Sequence, residues 1–437
     1  MLDQRDINID IDKFIYNLFD FALNNKASDI HIEPEETYAR VRVRIDGRLN
    51  EILHVNKDNY GKLISKLKLL SNMDISEHRR PQDSSLKLDV YQNIDFRVSS
   101  IGTINGEKLV IRILSLENHK NNANLLGFNE KSKVSLRNAL KKRSGMLIFS
   151  GPTGSGKSTS LYSLLDSLKN EYENIITIED PVEYNIEGIN QINVNEKIDF
   201  TFSKALRSIL RQDPDIILVG EIRDYETAQI AIRAAITGHL VLTTLHTNNA
   251  LSSIIRLKDL GIEDYLLSSA INTVASQRLV RKLCDCKKSY HMTDVEYAIA
   301  SKYMDVDRNQ VVYRANGCDK CNEGYRNREA VEEVFTLTDE FRDMIRNDKI
   351  DLVSVSEYAK KNNFESMFYN GLKKVFDGTT SFDELINVMY DQIWFIIFLL
   401  QNFNSFYIIS ARQFETILSI NKTRESKRIS MSIYSFS

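Results

Sequence analysis

The chain has 437 residues, 57 of them basic and 60 acidic, for a formal net charge of −3. That length supports two or three domains with real cores, and the balanced charge lacks the overall basic bias of a nucleic-acid binder, so no nucleic-acid partner is expected. Four cysteines in so long a chain exclude a disulfide framework and fit a reducing cytosol, and the acidic start, MLDQRDINIDIDKF, carries no secretory signal pattern.

In chain order, Ile11, Phe14, Ile15, Leu18, Phe21 and Ala22 recur at helical spacing over 11–25. Residues 29–32 and 40–45 alternate like strands, and Asp46-Gly47 marks a hairpin turn. Residues 60–70 read as a helix, and 86–98 and 108–114 as strands. These elements predict a small α+β domain over 1–115. The Asn/Lys-rich stretch at 117–124 places a linker within 116–130.

From about 130 the pattern turns to strand–helix–strand, as in a parallel sheet, and defines an α/β core over 131–283. Strands are expected at 146–150, 174–178, 215–219 and 240–244. Helices are expected at 158–169, 201–211 and 225–237, with Gly238 as a C-cap. A cysteine-bearing segment occupies 284–330 and a helical region 331–390. All five prolines lie in the first half, and the proline-free remainder predicts a long helical C-terminal half.

The stretch 145–159 carries the most chemical information. An apolar run, Met146 to Phe149, enters the turn Gly151-Pro152-Thr153-Gly154-Ser155-Gly156-Lys157-Ser158-Thr159, and a helical run follows. Strand, glycine loop and helix in that order form a phosphate-binding P-loop. Gly154 and Gly156 let backbone N–H groups turn toward phosphates, and the new helix adds its positive end. Lys157 is placed to reach the β- and γ-phosphates, and the Ser158 hydroxyl to bind Mg²⁺. A nucleoside triphosphate is therefore the expected ligand.

Ligands of open α/β sheets sit beyond the carboxyl ends of the strands. Two acidic clusters fall there: Glu179-Asp180-Pro181-Val182-Glu183, and Gly220-Glu221 after Ile216 to Val219. Hydrolysis needs a Mg²⁺-linked acid and a carboxylate that orients water. His246 follows a strand expected beside the P-loop strand, a position for a γ-phosphate sensor. Arg207, Arg211 and Arg223 bracket the second acidic strand, while Arg42, Arg44 and Arg48 lie on the first domain's hairpin. Each alone reads as a surface ion pair; as a set, some are expected to touch nucleotide.

These blocks together resemble the secretion ATPases that drive type IV pilus assembly and type II secretion. The resemblance rests on residues 27–34 (ASDIHIEP), 44–47, 80–83, the P-loop, 178–184, 206–224, 237–247 and Gln277-Arg278-Leu279-Val280. It spans roughly 14–390. It implies a PAS-like first domain, a RecA-like second domain, a homohexameric ring, and mechanical work on a polytopic inner-membrane platform protein. The ring would lie in the cytoplasm at the inner membrane face.

By position, the resemblance implies that Glu183 activates water, Glu221 holds Mg²⁺ and its water, and His246 is the histidine-box residue. It places the nucleotide-reaching arginines of the first domain on Arg42 and Arg44, and the arginine pair before the acidic strand on Arg207 and Arg211. Assembly-branch members commonly carry an additional N-terminal domain, and this chain begins at the second. The shorter layout also resembles the DNA-uptake (competence) pilus ATPases. The retraction branch lacks a cysteine segment. A weakly hydrolysing regulatory subunit and a nucleic-acid motor are the other classes weighed; the full catalytic set and the acidic balance disfavour them.

Zinc modules of this family use C-x-x-C twice. Here Cys318 and Cys321 keep that spacing, whereas Cys284 and Cys286 are one residue short. Zn²⁺ and reduced structural thiols are the two readings. The tail 391–437 is aromatic and isoleucine-rich, then basic, and polar residues interrupt it too often for a membrane span. It is read as a frameshift or gene-junction product outside the folded motor.

Overall fold

The computed structural model describes residues 10–92, 94–115, 127–350 and 352–389. The first part contains α1 (Ile11–Asn24), β1 (Asp29–Pro34), β2 (Tyr38–Ile45), β3 (Arg48–Asn56), α2 (Lys57–Leu70), β4 (Gln82–Leu86), β5 (Ile94–Thr103) and β6 (Gly106–Ser115). Asp10 caps α1 by accepting from the backbone of Asp12 and Lys13. Its heptad-like spacing buries Phe14, Ile15, Leu18 and Phe19. The six strands pair antiparallel in the order β3-β2-β1-β6-β5-β4.

Alternation gives this sheet two unlike faces. Ile30, Ile32, Val41, Val43, Phe96, Val98, Leu109 and Ile111 join the apolar residues of α1 and α2 in one core. Asp29, His31 and Glu33 lie opposite Arg44, Arg42 and Arg40 on the other face. The single strand expected over 86–98 is two strands, because successive turns from Leu88 to Tyr91 and from Tyr91 to Ile94 reverse the chain. The turn is anchored by Tyr91, whose ring packs edge-on against Phe19 and Phe96.

The second part runs α3 (Glu130–Leu140), β7 (Gly145–Ser150), α4 (Lys157–Leu168), β8 (Ile175–Glu179), β9 (Asn190–Asn193), α5 (Phe202–Ile209), β10 (Ile216–Val219), α6 (Tyr225–Ile236), β11 (Leu240–Leu245), α7 (Ala250–Asp259), α8 (Asp264–Ala270) and β12 (Ile271–Leu283). It continues with β13 (Lys288–His291), α9 (Asp294–Ala300), β14 (Val311–Arg314), β15 (Tyr325–Thr336), α10 (Asp339–Arg346), α11 (Leu352–Lys361) and α12 (Met367–Phe376). A seven-stranded sheet has the order β15-β12-β7-β11-β10-β8-β9. All its pairings are parallel except β12 with β15. β7, β8, β10 and β11 are buried along their whole length, as strands covered on both faces must be.

The C-terminal half is not the helical run that its lack of proline suggested. It holds the two longest strands of the sheet, β12 with 13 residues and β15 with 12, and the small β13–β14 pair. Absence of proline permits helix without selecting it. The residues expected as linker at 116–126 and the atypical tail from 391 lie outside the described residues, and none of the helices described is long and apolar enough to cross a membrane.

Candidate active site

β7 ends at Ser150, and the chain turns through 151–156 before α4 starts at Lys157. Three glycines supply left-handed backbone here: Gly151 at φ 144°, Gly154 at 77° and Gly156, the cap of α4, at 87°. A Cβ on Gly151 would lie 2.5 Å from the Gln277 carbonyl oxygen, so this position also needs glycine for space. Pro152, Thr153 and Gly154 are exposed at the tip, and Ser158 opens the first helical turn. The Ser155 hydroxyl is buried without a partner, an open donor inside the loop. Lys157 is buried and folds back, donating from Nζ to the carbonyls of Gly151 at 2.7 Å and Pro152 at 3.1 Å. Burial lowers its pKa to about 8, with Glu221 opposing.

The parallel register brings the second acidic strand and the histidine strand to this loop. β11 lies between β7 and β10, so the ends of all three converge. Gly220 donates to the Ile178 carbonyl at 2.8 Å, and a Cβ there would meet the same oxygen at 3.1 Å. Glu221, next in the chain, is largely buried, with Arg223 at 2.5 Å and His246 Nε2 at 3.4 Å. Burial, and then the Lys157 charge, hold the His246 imidazole below its ordinary pKa, against the pull of Glu221.

The first acidic cluster divides by role. Glu179, at the end of β8, is buried and accepts from Tyr162, from Thr177 at 2.6 Å and from Gln191 at 3.4 Å. Burial raises its pKa, and its partners are structural. Glu183 is half-exposed, and its backbone N–H donates to the Tyr162 hydroxyl at 3.3 Å. Its carboxylate meets Arg97 of β5 at 3.4 Å, and Arg97 also donates to the Val182 carbonyl at 2.5 Å. Arg97 was not singled out in the sequence. Its place in the alternation of β5 marks a polar face, and nothing local points to Glu183.

Other expected site residues lie elsewhere in the chain. Arg42 makes a two-armed ion pair with Glu33 at 2.7 and 2.9 Å, with Lys108 joining at 2.8 Å; burial pushes the Glu33 carboxyl up, but these cations outweigh it and draw it down to about 2. Arg44 pairs with Asp29 at 3.3 Å. Arg207 pairs with Glu226 at 2.6 Å, and Arg211 donates to the Arg207 carbonyl at 2.9 Å. Within one chain, therefore, Glu221, His246 and Lys157 are gathered at the loop, while these four arginines are paired with partners outside it.

The four cysteines are brought together. Their sulfurs lie within 4.8 Å of one another. Cys284 and Cys318 are 3.8 Å apart, Cys286 and Cys321 3.8 Å, and Cys318 and Cys321 3.5 Å. A tetrahedral ZnS₄ set with Zn–S about 2.3 Å has S···S separations of about 3.8 Å. The shortened C-x-C pair is accommodated by a turn in which Lys287 N–H donates to the Cys284 carbonyl at 2.9 Å. Lys282, Lys320 and Arg326 line the same pocket.

Residues 4–387 match the family described as type II/IV secretion system protein. The chain belongs to that family. It is 41% identical over 391 residues to the type II secretion system protein E of Pseudomonas aeruginosa, covering 89% of this chain and 77% of that protein. It is 44% identical over 382 residues to the type IV pilus assembly ATPase PilB of Acinetobacter baylyi, covering 86% of this chain and 66% of that one. The fold is similar to the pilus retraction motor PilT with bound ADP (TM-score 0.58, 26% identity, 85% of this chain and 95% of that one). It is also similar to the Legionella pneumophila ATPase DotB (TM-score 0.63, 21% identity, 86% and 95%). With the P-loop and its surrounding acids in place, the chain is an ATPase of the type II/IV secretion family.

Proposed function

We propose that this secretion-family ATPase hydrolyses ATP with Mg²⁺ in a homohexameric ring, on the cytoplasmic face of the inner membrane, to drive type IV pilus assembly or type II secretion. Its partner is a polytopic platform protein of that membrane; a competence pilus is the alternative machine. The observation that carries this reading is the convergence of Lys157, Glu221 and His246 on one glycine loop. Lys157 exchanges its loop carbonyls for the phosphates of ATP. Ser158 and Glu221 would hold Mg²⁺, which when bound neutralises charge on the transferred phosphoryl group. His246, 3.4 Å from Glu221, orients that carboxylate and senses the γ-phosphate. Glu183 is exposed enough to meet water and accept its proton, with Arg97 fixing where its carboxylate lies.

Arg42, Arg44, Arg207 and Arg211 are proposed to meet nucleotide only between subunits, where their present partners exchange. The same reading assigns Zn²⁺ to Cys284, Cys286, Cys318 and Cys321; the all-thiolate donor set and its sulfur spacing fit that ion. Bound there, it supplies a structural crosslink.

The test compares wild type with Glu183→Gln, by ATPase rate in vitro and by electron microscopy of surface pili in the native host. A fall in rate of about a hundredfold or more with ATP binding retained is expected. Loss of pili at unchanged protein level would identify the assembly machine. Unchanged pili would move the reading to type II secretion, where the secreted protein profile should change instead. An unaltered hydrolysis rate would remove Glu183 from the mechanism.

A further inference from the structure

We infer that Gln277 is a positioning residue for the phosphate-binding loop, the group that fixes the loop against the first turn of α4. The inference rests on the nucleotide-binding reading above. Gln277 lies on β12, directly after Ser276, which pairs with Ser150 at the end of β7. Its side chain is 1% exposed and is used at both ends. Nε2 donates to the Ser155 carbonyl at 2.7 Å, and Oε1 accepts from the Ser160 hydroxyl at 2.8 Å. One partner belongs to the loop and the other to the helix, so a single rigid amide spans the joint on which the orientation of the loop N–H groups depends.

The loop glycines are shaped around this residue. A Cβ on Gly156 would sit 2.8 Å from Gln277 Nε2, and one on Gly151 would sit 2.5 Å from the Gln277 carbonyl oxygen. The glycine spacing thus admits the backing strand as well as the phosphate. Gln277 lies behind the loop and needs no contact with nucleotide. The site also dictates an amide: one end must donate to a carbonyl and the other must accept from a hydroxyl. An ionised carboxylate offers two acceptors and would set an oxygen against the Ser155 carbonyl; a protonated carboxyl restores one donor and one acceptor.

The test measures ATP affinity for the nucleotide-free, full-length protein by calorimetry, from about pH 8 to about pH 5.5, together with thermal unfolding. Wild type, Gln277→Ala, Gln277→Glu and Ser160→Ala are compared. Gln277→Ala should bind ATP about tenfold more weakly, and Ser160→Ala, which cuts one of the two bonds, by a smaller factor. Gln277→Glu should be the weakest at the alkaline end and recover toward wild type as the pH falls, because protonation of the buried carboxyl re-creates the donor. A general loss of packing would not follow that profile. Equal affinity of Gln277→Ala and wild type, or a Gln277→Glu deficit that does not change with pH, overturns the inference. If Gln277→Ala fails to fold, the Gln277→Glu profile and Ser160→Ala decide it. Failure of the wild type itself to bind ATP overturns the nucleotide reading, and this inference with it.

Discussion

Replacing Lys157 with methionine should stabilise the nucleotide-free protein while abolishing its response to ATP. The Lys157 ammonium is buried beneath the loop, and its pKa in the fold is about 8 against 10.5 in the open chain. Each unit corresponds to about 1.4 kcal/mol, so holding the charge there at neutral pH costs the fold roughly 3 kcal/mol. Methionine removes that cost and keeps most of the side-chain volume. It also removes the two bonds to the Gly151 and Pro152 carbonyls, together worth about 1–2 kcal/mol. The net gain is about 1–2 kcal/mol, a rise in melting temperature of about 1–2 °C for a chain of this length.

The sign with pH follows from linkage. The folded pKa lies below the unfolded one, so the unfolded state binds more protons between about 8 and 10.5, and wild-type stability rises with pH across that window. The advantage of the variant is full below about pH 8 and closes toward pH 10.5. Scanning calorimetry of both proteins at several pH values, with and without Mg-ATP, reads this directly. A variant less stable than wild type at neutral pH, or a gap that stays constant to alkaline pH, would refute the claim that burial of the charge dominates at this position.

Two further outcomes are expected. Purified protein should hold about one zinc per chain by elemental analysis, and chelation should selectively loosen the segment around Cys318–Cys321 in hydrogen exchange; metal-free protein with unchanged exchange would leave reduced thiols as the reading. Arg97→Ala should change the hydrolysis rate severalfold, with only about 0–1 kcal/mol lost in stability because the contact is partly exposed, whereas an equal change from Arg207→Ala measured in isolated monomers would contradict the pairing of Arg207 with a partner outside the loop.

The sequence showed the loop clearly because its chemistry is local: a strand, glycines that must turn, a lysine and a helix start lie within fifteen consecutive residues, 145–159. That β7, β10 and β11 are strands was legible for a related reason, since three apolar runs buried on both faces can hardly be anything but central strands. β12 and β15 were not legible. β12 carries Gln277, Arg278, Arg281 and Lys282, and β15 carries Glu332 and Glu333, which read as surface. Their polarity is consumed by tertiary partners that no window contains. Glu332 accepts from Asn129 N–H at 2.7 Å, at the start of α3. Glu333 accepts from Ala250 and Met367 N–H groups at 2.7 and 2.9 Å, the first residues of α7 and α12. Two adjacent buried carboxylates thus satisfy the amino ends of three helices, and burial keeps both pKa values raised. Arg97 escaped notice for the same cause: its significance lies in a residue 86 positions away.

The strength of contacts within and between the two sheets differs in kind. Inside the first, Lys68 is wholly buried against Glu107 at 2.8 Å, with His78 on the second carboxylate oxygen at 2.6 Å. Inside the second, Arg281 meets Glu384 at 2.6 Å with both side chains buried, and stacks on the Tyr325 ring. Breaking a buried pair of that sort leaves an uncompensated charge and costs about 3–5 kcal/mol. The bonds that join the sheets are of another sort. Arg48 meets Glu323 at 2.5 Å, but their side chains are 46% and 62% exposed. Asn322 reaches Asn50 at 3.2 Å, and Asn327 N–H reaches Asp46 at 2.9 Å. At the far end Arg97 holds Glu183 at 3.4 Å. Exposed pairs are worth about 0–1 kcal/mol each. Among the described residues, two sheets with buried ion pairs of their own are therefore joined by exposed contacts, and one end of that seam is the carboxylate proposed to activate water while the other sits beside the cysteine cluster.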